Sequence, residues 1–123
     1  MPARVVVVLD DAGFAVRTVE TLLARGIDAR VLPNSLTALD ALEASATSAT
    51  LELLVTCPQF AAGPPHGVAL ALMARQKRPG VRVLFVGPAD LAPHTEGVGA
   101  FIAVPVTVAD VVNAATRMLT TDG

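Results

Sequence analysis

The chain has 123 residues, a length that suits one compact domain, with 53% hydrophobic, 16% charged and only 3% aromatic residues. Its formal net charge of −2 lacks the strongly basic balance of a nucleic-acid footprint, and no partner of that kind is expected. The longest strictly apolar run, Val5 to Leu9, is far short of a membrane span, no signal peptide is visible, and the single cysteine, Cys57, excludes an internal disulfide, so the cytoplasm is the expected compartment.

RVVVVLDD (4–11) is a β-branched run ended by two acids, the pattern of a fully buried strand. AGFAVRTVETLLARG (12–26) follows with Phe14, Val19, Leu22 and Leu23 near helical spacing, and Gly26 is a natural helix terminator. A second short strand is expected over 28–32. SLTALDALEAS places Leu36, Leu39 and Leu42 three apart, a short helix, and SATSAT (45–50) reads as a surface loop. LELLVT (51–56) is a third strand that exits through Cys57 into a Pro/Gly-rich loop. GVALALMARQKRPG predicts a helix stopped by Pro79 and Gly80, and VRVLFVG (81–87) a fourth strand. In PADLAPHTEGVGA (88–100), Pro88, Pro93, Gly97 and Gly99 leave room for only a short helix. FIAV (101–104) is a fifth strand. Thr107 with Asp110 three later is a helix-capping pattern, and Val108, Val111, Val112, Ala115, Met118 and Leu119 make an amphipathic last helix. Five strands alternating with helices imply an α/β fold, a parallel sheet covered on both faces. Strand order does not follow from periodicity.

Taken in order, these pieces resemble a response-regulator receiver domain of the CheY-like class. The resemblance runs over roughly residues 3–120. It rests on VVLDD, the helix ending ARG, LPNSLTALDAL, LLVT with GVALA after the loop, KRPGVRVLFVG, and FIAVPVTVADVVNAATRML. It implies a single receiver-like domain over 1–123 and a (βα)5 doubly wound sheet of order 2-1-3-4-5, flavodoxin-like, here with a shortened fourth helix. It further implies two-component phosphorelay signalling, with a histidine kinase or another regulator as partner and a homodimer as one mode of action; no DNA-binding output domain is expected, since the chain ends at Gly123 right after the last helix. Receivers take a phosphoryl group on an aspartate at the end of strand three, assisted by Mg²⁺ on strand-one acids, a strand-four hydroxyl and a strand-five lysine.

Asp10 and Asp11 match the acid pair. The acceptor position falls on Cys57, the hydroxyl position on Gly87 and the lysine position on Val104. Pro105 is kept, and Phe101 matches the aromatic that reports activation. The site therefore reads as vestigial, with no catalytic residue, no cofactor beyond a weak Mg²⁺ site at Asp10 and Asp11, and a function carried by protein contacts. The alternatives are a phosphoryl group on Asp10, Asp11 or Cys57, and a redox switch at Cys57. A redox thiol needs a lowered pKa, whereas the neighbouring acids should raise it.

Other constellations carry less. Cys57, His66 and His94 match no zinc spacing. Gly97-Val98-Gly99 precedes a strand instead of following one, unlike a dinucleotide loop. DDAGFA repels the phosphate an FMN would bring. Arg75, Lys77, Arg78 and Arg82 form a basic cluster suited to a helix C-terminus or to an acidic partner. By the same resemblance the last helix and residues 88–104 correspond to the surface through which receivers dimerise or dock, so the partner surface is expected at Val98, Phe101, Ile102, Val108 and Val112, with the short 88–100 segment exposing apolar edges such as Val98, Phe101 and Ile102.

Overall fold

The computed structural model describes residues 4–34, 37, 38, 40, 41, 51–58 and 67–120. Five parallel strands form one sheet: β1 (Val5–Val8), β2 (Ala29–Val31), β3 (Leu53–Thr56), β4 (Arg82–Gly87) and β5 (Ala100–Ala103), in the order β2-β1-β3-β4-β5. All four residues of both β1 and β3 are buried, which is what a strand covered on both faces requires of its side chains. The order left open by periodicity is the one the resemblance implies.

Helix α1 (Ala12–Ala24) begins where Asp11 Oδ1 accepts a hydrogen bond from the Phe14 amide at 3.0 Å, and it ends before Gly26, whose φ of 79° lies in the left-handed region. The step from β1 to β2 runs opposite to the steps from β3 to β4 and β4 to β5. Right-handed crossovers therefore set α1 on one face, and α2 (Gly67–Lys77) with the connection from β4 to β5 on the other. Helix α3 (Val108–Thr120) returns to the face of α1 and packs against it. Its start is the predicted reciprocal cap: Thr107 N–H donates to Asp110 Oδ2 at 3.0 Å, and the Asp110 amide donates to Thr107 Oγ1 at 3.1 Å.

Two expectations are refined. The 88–100 segment folds as a 3₁₀ helix over Ala89–Thr95 with Pro93 inside it. Proline offers no N–H to a backbone ladder, and the tighter short turn accommodates it. The predicted helix in SLTALDALEAS is helical at residues 37, 38, 40 and 41, and its remainder, the SATSAT loop and the loop residues 59–66 lie outside the described residues.

Candidate functional site

Register alone gathers one end of the sheet. Val8 pairs with Thr56, Thr56 with Phe85, and Gly87 with Ala103. One step past the β1–β3 rung, the chain presents Leu9 and Cys57. Beyond them come Asp10 and Asp11. The Val104 amide donates to the Gly87 carbonyl at 2.9 Å and carries the chain into Pro105 through a cis peptide bond. Together these residues line a cleft of about 350 Å³, with Phe14, Val86, Pro88 and Val106 completing its walls. This is where an open parallel sheet places its ligands.

Asp10, Asp11, Cys57, Gly87, Val104 and Pro105, all singled out in the sequence, thus meet at one cleft. Asp10 and Asp11 are exposed, and Cys57 is buried. The Cys57 thiol donates to Asp10 Oδ2 at 4.0 Å, a long sulfur contact. Burial pushes the thiol up to about 11, the negative charge of Asp10 adds to the rise, and a backbone hydrogen bond at Asp10 opposes it. The direction is the expected one, but burial rather than the acids is its main cause. At neutral pH the thiol is protonated and a poor nucleophile.

That shift has a measurable consequence. Above the ordinary thiol pKa of 9.0 the unfolded chain releases the Cys57 proton, while the folded chain keeps it until about 11. The folded state then binds more protons, so the stability contributed by the neutral thiol is complete below pH 9.0 and is lost as pH rises toward about 11. With no tyrosine and a single lysine, Lys77, few other side chains titrate in this window. Urea midpoints should fall between these pH values in the wild type and fall less in Cys57→Ala.

Gly87 is buried, and a Cβ there would stand 3.0 Å from Pro58 Cδ, so the strand-three exit is packed directly over this position. Val104 is 46% exposed at the rim. Among the described residues no lysine or arginine lines the cleft. The residues the sequence left unremarked as site formers, Leu9, Val86 and Val106, are the neighbours of strand ends; the alternation of each strand with its loop was the signal that could have marked them.

The remaining candidates are dispersed. His94 is exposed on the 3₁₀ helix, His66 lies outside the described residues, and among the described residues no three His, Cys, Asp or Glu side chains converge as metal ligands. The basic cluster is partly structural: Arg75 Nη1 donates to the carbonyls of Gly97 at 3.3 Å and Val98 at 3.0 Å, and Arg82 Nη1 donates to the Met118 carbonyl. The expected partner surface needs correction. Val112 is fully buried, because it shares the inward stripe of α3 with Val111, Ala114 and Ala115. Val98, Phe101, Ile102 and Val108 are half-buried against the core instead of standing free.

No family model and no curated protein matches the sequence. Solved structures do match in fold. A response regulator receiver protein from Sinorhizobium medicae is 24% identical with a TM-score of 0.78, over 97% of this chain and 96% of that one. The non-phosphorylated HemR receiver domain from Leptospira biflexa is 20% identical with a TM-score of 0.81, over 100% and 98%. The receiver domain of NtrX from Brucella abortus is 19% identical with a TM-score of 0.77, over 96% and 99%. The fold is that of response-regulator receiver domains. Among the described residues no helix is long and apolar enough to cross a membrane.

Proposed function

We propose that this protein is a receiver-like component of two-component signalling that takes no phosphoryl group at the strand-three position and acts through contacts with a histidine kinase or another regulator. One observation carries the reading: the cleft at the strand ends holds a buried neutral thiol, a glycine and a valine where receivers hold their acceptor, hydroxyl and lysine. Phosphoryl transfer needs a positioned nucleophile and cations that neutralise the charge developing on the phosphoryl oxygens. Cys57 is protonated at neutral pH, and neither Gly87 nor Val104 offers a hydrogen-bond donor on its side chain.

The residues present fit Mg²⁺ poorly. A hard divalent cation takes several oxygen ligands in a set. Here two carboxylates line the cleft, one oxygen of Asp11 is engaged as a helix cap, and the third acid position is occupied by sulfur. The raised thiol pKa also disfavours the redox reading, since the thiolate is the species that is oxidised.

Incubation with acetyl phosphate and Mg²⁺ followed by intact-mass measurement tests this reading. The mass should be unchanged. A labile phosphoryl adduct would overturn it, and loss of that adduct in Asp11→Asn or Cys57→Ser would then identify the acceptor.

A further inference from the structure

The cleft at the strand ends has two chemically distinct parts. Its floor is buried and apolar, formed by Leu9 and Val86, and Phe14, Pro105 and Val106 add apolar walls. Its mouth is acidic, because Asp10 and Asp11 stand exposed there. The strand ends explain this division. β4 runs out through Val86 and Gly87, and β5 leads into Val104, Pro105 and Val106. Only β1 runs straight into carboxylates. Charge therefore collects on one side of the cleft and apolar surface on the other.

At about 350 Å³ the cleft is within the size range of small-molecule sites, and it shares their mix of apolar lining and few polar groups. Its chemistry sorts the occupants. An anion would face two carboxylates with no cation among the described lining residues to offset them. A wholly apolar molecule would strip water from the carboxylates and give them no partner. The lysine of a partner protein brings the charge, but its narrow stem leaves much of the apolar floor uncovered.

We infer that this cleft binds a small organic cation, an ammonium or guanidinium carried on a ring-sized apolar body, with the body over Leu9 and Val86 and the cation at Asp10 and Asp11. The inference rests on the reading that no phosphoryl group is taken up here, and it adds a diffusible ligand to a protein otherwise read as acting through contacts. The acidic side is set before a ligand arrives. Asp11 Oδ1 accepts the Phe14 amide hydrogen bond, which fixes that carboxylate at the cleft. Asp11 also shares its charge with the positive end of α1, so Asp10 is expected to carry the larger part of the ion pair.

The probe is 2-phenylethylammonium, titrated into the full chain and followed by backbone amide shifts. The shifts should saturate with a Kd on the order of 1 mM, the range open to so small a ligand. They should cluster at residues 9–11, 14, 86 and 106. The neutral isostere 2-phenylethanol and the anion phenylacetate should bind about tenfold more weakly or worse, and so should methylammonium, which keeps the charge and lacks the body. N-acetyl-lysine methylamide, the analogue of a partner's side chain, should also bind more weakly than the ring. Added salt should weaken the cation. Asp10→Asn, at unchanged melting temperature, should weaken it about fivefold or more. Val104→Lys, at an exposed rim position, sets a fixed ammonium at the mouth and should have the same effect. Equal binding of the cation and its neutral isostere, tighter binding of the lysine analogue, absence of saturation, or shifts clustered elsewhere would overturn the inference. Absence of binding at unchanged mass strikes this inference alone, whereas a phosphoryl adduct strikes the reading beneath it.

Discussion

Replacing Gly67 with alanine is expected to destabilise the protein by about 3 kcal/mol or more, at the upper end of what overpacking costs. A Cβ on Gly67 would lie 1.6 Å from the Cys57 carbonyl oxygen and 2.7 Å from its carbonyl carbon. Both are main-chain atoms at the exit of β3, so no rotamer change relieves the clash. Either the first turn of α2 must lift away or the strand end must move. The second route displaces Cys57, and with it one wall of the cleft. Urea denaturation of Gly67→Ala measures the loss directly, and the Cys57 amide resonance reports which of the two gives way. A variant as stable as the wild type would show that α2 does not approach β3 this closely.

Phe85→Ala should cost about 3–5 kcal/mol, the usual range for deleting a buried ring. Phe85 is fully buried on β4, and its rung places it between Thr56 on β3 and Phe101 on β5, on the same side of the sheet. With only four phenylalanines and no tryptophan or tyrosine in the chain, this core has few bulky side chains with which to collapse into the void. The β-branched side chains that make up much of this core are stiff at χ1, so most of the cavity should persist. The measurement is again the denaturation midpoint, and a loss below about 1 kcal/mol would mean that the site repacks freely.

The same scarcity of rings explains why so much of the fold was legible in the sequence. A core of valine and leucine writes itself as uninterrupted runs, and VVVV, LLV and VLFV are the three central strands. Helix boundaries were legible wherever a cap has a chemical signature, at Asp11, Gly26 and the Thr107–Asp110 pair. Strand order was legible only through the resemblance to receivers, because pairing between distant strands leaves no local mark. The segment 88–100 was legible as interrupted but not as a 3₁₀ helix, since proline and glycine mark where a regular helix fails and not what replaces it.

The candidate site divides in the same way. Asp10, Asp11 and Cys57 could be placed at one end of the sheet from their positions at strand ends, and Gly87 and Val104 through the resemblance to receivers. The packing of Pro58 over Gly87 and the burial of the thiol could not, because they depend on how two strand exits lean together. Val112 was misplaced on the surface because six apolar positions on a 13-residue helix define a broad stripe, and sequence does not say which of its margins turns inward. Arg82 was singled out with the basic cluster, but its approach to Arg117 was not legible, because the two lie 35 positions apart, on β4 and α3, and only the fold brings them together.

The central claim is that the cleft at the strand ends has lost the chemistry of phosphoryl transfer while the receiver fold around it remains. The intact mass of the full chain after incubation with acetyl phosphate and Mg²⁺ tests it most directly. An unchanged mass is the predicted result, and a labile phosphoryl adduct would contradict it.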